Sequence, residues 1–240
     1  MLTPTQEISR LKTFEERIDN EGLTWEMKGQ FQKALDSYDR LLNEIENLST
    51  TSKSEKEENN AAIAYLLMRK AGVLLQTGKA EPGETLMNQA LKKAEQSGNS
   101  LTIARAKMGI GVFYGSTDRF EEAEKMLKEA LSSFNQNEDY DNTQGAGWAL
   151  LNLGGLYGKQ KKWTLAQKKL DEAISLLNAI KNWVGVASAY ELKAKQNTAE
   201  GKLDQAKQDL LNAVLYYEKQ GMKEKAESLR KSIENKNNKG

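Results

Sequence analysis

The chain contains neither cysteine nor histidine. The first absence removes disulfides and thiolate nucleophiles, and the second removes imidazole bases. Together they exclude nearly every transition-metal site built on sulfur or imidazole ligands. Catalysis would have to run on Lys, Asp, Glu or Tyr, and the expectation is a protein that is not an enzyme and carries no cofactor or metal. An excess of one charge is missing too. The 35 Lys and Arg stand against 34 Asp and Glu, so no net charge draws the chain to nucleic acid or to an anionic membrane. No apolar run approaches the roughly 20 residues of a membrane-spanning helix. The opening MLTPTQEISRLKTFEERI lacks the apolar core of a signal peptide, and a cytoplasmic location is expected. Prolines number two, Pro4 and Pro82, each where a helix would begin, so the rest of the chain is free to be helical. Aromatics are only 7% of residues against 29% charged, which suits short helices that bury one stripe each and not a thick core.

What is present is repetition. Five segments share one plan, a turn followed by an amphipathic helix: MKGQFQKALDSYDRLL, QTGKAEPGETLMNQAL, STDRFEEAEKMLKEAL, QKKWTLAQKKLDEAI and AEGKLDQAKQDLLNAV. A small residue marks the same place in each, Ala34, Gly83, Ala123, Ala166 and Ala206, at intervals of 49, 40, 43 and 40. Seven residues on, about two helical turns, stand Leu41, Ala90, Ala130, Ala173 and Ala213. Tyr38, Met87, Leu127, Leu170 and Leu210 complete the stripe between them. Each turn is preceded by a second helical segment with its own small or apolar pair: Gly22 and Trp25, Ala71 and Leu74, Gly111 and Tyr114, Gly154 and Tyr157, and Ala194 with a polar Asn197. The unit is therefore a helical hairpin with an apolar face for its neighbour, and a stack of such hairpins is a solenoid. The long first interval contains STTSKSEKEENN, residues 49–60, which has no apolar period and reads as a loop or a frayed helix end. MKEKAESLRKSI reads as a capping helix.

The combination of a small residue with an aromatic three places later, a short turn, then Ala, a bulky apolar residue and Ala, resembles the tetratricopeptide repeat (TPR) family. Gly111, Tyr114, Phe120, Ala123, Leu127 and Ala130 carry the likeness in the third unit, and Gly154, Tyr157, Trp163, Ala166, Leu170 and Ala173 in the fourth. The first, second and fifth units depart at one or two positions, and none shows the family's helix-ending proline. A spacing near 40 exceeds the ordinary 34 and is similar to the elongated repeats of kinesin light chains, polarity adaptors and bacterial peptide-sensing regulators. The resemblance implies an all-α, right-handed α-solenoid of about five hairpins plus a C-terminal cap. The expected layout is a single domain over 1–236, with repeats at about 8–48, 57–97, 99–136, 142–181 and 183–220, a cap at 222–235 and a disordered tail at 237–240.

In such a solenoid the first helices line a concave groove. The groove-facing candidates are Tyr65, Met68 and Arg69, then Arg105 and Met108, then Trp148, Leu151 and Asn152, and finally Lys195. Glu16, Asp19 and Asn20 fall on the same face of the first unit. Met68, Met108 and Leu151 would form an apolar row that suits a peptide with apolar anchors and some negative charge. Met and aromatic residues at helical spacing serve packing as readily as binding, and arginines there serve internal ion pairs as readily as a ligand; both readings stay open at this stage. The five-residue carboxylate clamp of the chaperone-binding relatives is reproduced in no window of the repeats, which argues against the acidic heat-shock chaperone tails as ligand.

Other motifs fail on context. Gly109, Gly111 and Gly115 fall inside a helix with no preceding strand, so they cannot cradle a pyrophosphate. Asp139, Asp141 and Thr143 begin like a calcium loop, but Gln144 replaces the turn glycine and Leu150 the bidentate acid. The expected function is a protein or peptide interaction scaffold, an adaptor or assembly factor. The alternative is a peptide-sensing regulator that changes superhelical shape, and self-association is a further option.

Overall fold

The computed structural model describes residues 10–237, with side chains from 13 to 234; Pro4 and the tail residues 238–240 lie outside the described residues. All regular structure among them is helical: α1 Arg10–Ile18, a π-helical turn Asp19–Leu23, α2 Thr24–Met27, α3 Phe31–Glu46, α4 Lys53–Gln76, α5 Ala80–Ser97, α6 Ser100–Ser116, α7 Phe120–Phe134, α8 Tyr140–Lys159, α9 Trp163–Ala179, α10 Trp183–Ala199, α11 Leu203–Lys219 and α12 Lys223–Asn237. Pro82 is the third residue of α5, inside the first turn where its missing N–H costs nothing. None of the described helices is long and apolar enough to cross a membrane. The chain divides into two compact units, Met1–Met126 and Leu127–Gly240.

The turn inside each hairpin repeats at atomic detail. A residue in the left-handed region ends the first helix: Gly29, Gly78, Asp118, Lys161 and Gly201, spaced 49, 40, 43 and 40 like the small residues five places on. The next backbone N–H turns back to a carbonyl five residues earlier, Gln30 to Trp25 at 2.9 Å, Lys79 to Leu74 at 2.8 Å, Arg119 to Tyr114 at 2.9 Å, Lys162 to Tyr157 at 2.9 Å and Lys202 to Asn197 at 2.8 Å. This closure satisfies a carbonyl that the helix end would leave orphaned, and it fixes where the second helix starts. Ala34, Gly83, Ala123, Ala166 and Ala206 are then each the fourth residue of their helix, all buried.

The need for small residues there is steric. A Cβ on Gly83 would lie 2.9 Å from the Phe113 ring and 3.2 Å from the Ala71 carbonyl. In the second unit a Cβ on Gly154 would lie 2.6 Å from Leu170 Cγ and 3.3 Å from the Ala166 carbonyl. Helix backbones approach at these points, and large side chains close the space beside them. In the first unit Ile18, Tyr38, Leu41, Ile45 and Leu66 are fully buried in one cluster. In the second, Leu170, Leu177 and Val186 form the centre, and Ala226 and Ile233 of α12 cover Val214 and Tyr217 of α11.

The polar stretch 49–60 departs from its sequence reading, since α4 already starts at Lys53. Ser52 accepts from the Glu55 N–H at 3.1 Å while the Glu55 carboxylate accepts from the N–H groups of Thr51 at 2.6 Å and Ser52 at 3.3 Å. This capping box satisfies the first orphan donors of the helix and replaces the apolar stripe as the reason the segment is helical. The polar Asn197 of the fifth unit is buried and donates to the buried Asp209 at 2.7 Å, where the other units carry an aromatic or leucine in place of Asn197.

Candidate functional site

On α4, Tyr65, Met68 and Arg69 share one face because residues three and four apart are neighbours on a helix. Arg105 and Met108 are related in the same way on α6. The structure draws these first-unit residues into a network with the opening helices. The Tyr65 hydroxyl donates to Asp19 at 2.9 Å, an Arg69 Nη pairs with Glu26 at 2.8 Å, and an Arg105 Nη pairs with Glu15 at 3.3 Å. Glu26 also accepts from the buried Tyr38 hydroxyl at 2.5 Å.

Exposure separates the two ion pairs. The Glu26 and Arg69 side chains are 11% and 26% exposed, whereas Glu15 and Arg105 are 32% and 30% exposed. Burial pulls the Arg69 guanidinium toward neutrality, but the Tyr38 hydroxyl and the charge of Glu26 outweigh it and hold it above its ordinary range. Burial, followed by the charge and hydrogen bond of Asp19, pushes the Tyr65 phenol up, so Tyr65 stays a donor at neutral pH. The Arg69 Nε is buried without a hydrogen-bond partner.

Met68 is half-buried, and its sulfur is 3.4 Å from where a Gly109 Cβ would be. Gly109 therefore leaves room for the thioether beside α6, on which Met108 is half-buried. In the second unit the candidates behave differently. Leu151 is 7% exposed and packs in the core cluster with Leu170 and Leu177, and Trp148 lies half-buried against the same cluster. Asn152 is half-buried and Lys195 is exposed.

Sequence reasoning did not select Glu15 or Glu26. A signal for them exists: Glu15, Asp19 and Glu26 are spaced by four and seven and fall on one helix face, opposite the cations of α4 and α6. Of the first-unit residues selected from the sequence alone, Asp19 lies in that stripe, while Glu16 of α1 and Asn20 of the π-helical turn are its exposed neighbours.

No family model matches the sequence, and no curated protein matches it closely enough to count as a relative. Solved structures do match. The chain is similar to BtubC (BKLC) from P. vanneervenii at 18% identity and a TM-score of 0.59, over 96% of this chain and 85% of that one. It is similar to aspartyl phosphate phosphatase F from Bacillus subtilis at 13% identity and a TM-score of 0.60, over 95% and 60%. It is also similar to the nearly identical TPR-like repeats of a kinesin light chain-like protein from Podosopora anserina, at 12% identity and a TM-score of 0.51, over 90% and 100%. The fold is of the tetratricopeptide type. Identities this low speak for the tetratricopeptide fold alone, and the activity named for the phosphatase stays with that protein.

Proposed function

We propose that the chain is a scaffold that holds a protein or peptide partner on the first-helix faces of its tetratricopeptide hairpins. In the first unit that surface is made by Tyr65, Met68, Arg69, Arg105 and Met108, and in the second by Trp148, Asn152 and Lys195, with Leu151 supporting from the core. The observation that carries this reading is the composition of the first-unit face: two adaptable thioethers bordered by a phenol donor and two guanidinium groups, all half-buried on rigid helices. Such a face suits an extended or helical segment with apolar anchors and carboxylates. Balanced overall charge favours a polypeptide partner over nucleic acid or a membrane surface, in an adaptor or assembly role within the cytoplasm.

The test is site-specific cross-linking. A photoreactive amino acid at Met108 is expected to capture one stoichiometric polypeptide, and the same group at Thr85, exposed on α5, is expected not to. Capture should fall when Arg105→Glu is added. Arg69 is left intact, because a carboxylate there would face Glu26 and unfold the repeat instead of reporting on binding. Equal capture from both positions sinks the reading.

A second reading, a sensor that changes superhelical shape on binding, is favoured by the π-helical turn, a rare geometry that recurs at functional sites and joins α1 to the rest of its hairpin. X-ray scattering with the captured polypeptide tests it: an unchanged radius of gyration excludes the sensor and leaves the scaffold.

A further inference from the structure

The fifth hairpin departs from the other four on the outward face of its second helix. Leu211 and Leu215 stand one turn apart on α11 with 42% and 47% of their surface exposed. Counted from Ala206, the marker equivalent to Ala34, Gly83, Ala123 and Ala166, the position of Leu211 is held in the other hairpins by Asp39, Asn88, Lys128 and Asp171. That of Leu215 is held by Asn43, Lys92, Ser132 and Ser175. All eight are polar and exposed. A lone exposed leucine needs no explanation, but two neighbouring leucines at positions that four repeats keep polar do. Packing within the chain does not supply one: α12 covers Val214 and Tyr217 and leaves both leucines to solvent.

The residues beside the leucines point to what covers them. Leu203, Lys207, Leu211, Leu215 and Glu218 are spaced by four, four, four and three, and form one exposed stripe along α11. Met222 follows in the turn after the helix, 36% exposed. From either end the order is the same: an apolar residue, a charge, two leucines, the opposite charge, an apolar residue. Such a stripe is complementary to itself when two copies run antiparallel, since Leu211 of each then meets Leu215 of the other, and Lys207 of each meets Glu218 of the other. Lys207 has no ion pair among the described residues. Glu218 pairs with Arg230 at 2.8 Å through Oε1, which leaves Oε2 for a second cation. Lys219, the cation next to Glu218, lies over the rings of Trp183 and Tyr216, 5.2 and 4.5 Å from their centroids, and is held away from the stripe.

We propose that α11 is the surface through which two copies of this chain pair antiparallel, about a two-fold axis that crosses the helix near Asn212 and Ala213. The surface lies on a second helix, apart from the first-helix residues of the scaffold reading, and the inference goes beyond that reading. A dimer presents two recognition faces and favours partners with two matching segments. One helix crossing buries less than about 1,200 Å², so pairing is weak, with a dissociation constant of about 10–100 μM.

Sedimentation equilibrium of the full chain, from about 5 to 500 μM to bracket that constant, is expected to show a monomer–dimer equilibrium. Leu211→Asp with Leu215→Ser installs the residues that the fourth hairpin carries there, so the helix content should be unchanged while pairing weakens at least about tenfold. Lys207→Glu should weaken pairing as well, and adding Glu218→Lys should restore it, because the two charges exchange places across the axis. The lack of native cysteine permits a geometric check. In a mixture of Lys207→Cys and Glu218→Cys chains, mild oxidation is expected to favour the mixed disulfide, since antiparallel pairing brings 207 to 218 and sets the two 207 positions roughly 16 Å apart along the helix. A chain that is monomeric at the highest concentration, a dimer that survives the leucine substitutions, or mixed and self disulfides in the statistical ratio would each overturn the proposal. A monomer that instead floats with phosphatidylserine vesicles, and stops doing so with the leucine substitutions, would assign the stripe to a membrane surface and overturn it too.

Discussion

The Tyr38 ring of α3 lies against Gly22 in the π-helical turn, so close that a Cβ there would sit 1.9 Å from Cε1 and 2.4 Å from Cζ. Tyr38 is fully buried and its hydroxyl is tied to Glu26, so the ring has nowhere to retreat. Gly22→Ala is therefore expected to destabilise the first unit by about 2–3 kcal/mol, read from urea unfolding. In a Tyr38→Leu background the same substitution should cost markedly less, because the atoms it collides with are gone. Equal cost in both backgrounds would show that the strain lies elsewhere.

The two arginines of the candidate site should separate in a stability experiment. Glu26→Gln removes the counter-charge of the enclosed Arg69 and is expected to cost about 1–3 kcal/mol. Arg105→Gln breaks a pair that is a third exposed and should cost less than about 1 kcal/mol. Denaturant midpoints of the two variants check the ranking, and reversal would mean that Arg105 and not Arg69 is structural.

Lys161 ends α8 with φ of 58°, in the left-handed region that Gly201 fills with φ of 77° at the equivalent place. A side chain there costs about 1–2 kcal/mol, partly returned by its narrower unfolded ensemble. Lys161→Gly is expected to raise stability by about 0.5–1 kcal/mol and Gly201→Ala to lower it by about 1 kcal/mol. Thermal unfolding of the pair tests both directions at once.

Asp209 is buried, and burial pushes its carboxyl up despite the hydrogen bond from Asn197. Because the folded state holds this proton more firmly than the unfolded chain, the protonated form is the stabilising one. Its contribution is complete below the unfolded carboxylate value of about 3.9 and is lost as pH rises through the raised folded value. Asp209→Asn, permanently neutral, should therefore be more stable than the unaltered protein at pH 7, with the difference closing by pH 3. A gap that stayed constant with pH would point to the hydrogen bond and not to the charge.

Much of this was readable in the chain. Ala34, Ala123, Ala166 and Ala206 announced the crossing points because a helix pair tolerates only small side chains where backbones meet, and the 40-residue period exposes that demand without coordinates. The helical start at Lys53 was less visible. Its stripe is polar, and the one local signal is Ser52 followed three residues later by Glu55. Leu151 marks a deeper ambiguity. The first helices are packed on more than one side, as α8 is against α9 and α10, so apolar residues occur nearly all round and periodicity cannot say which ones face outward.

Sequence alone thus determined the hairpin, its period and the seam, all of which depend on contacts within a few turns or one repeat. Tertiary structure decided which charges meet. Glu15 and Arg105 are ninety residues apart, and nothing local to either one specifies the other. Their pairing, and the deeper burial of the Arg69–Glu26 pair than of the Arg105–Glu15 pair, exist only once stacked helices set distance and dielectric together.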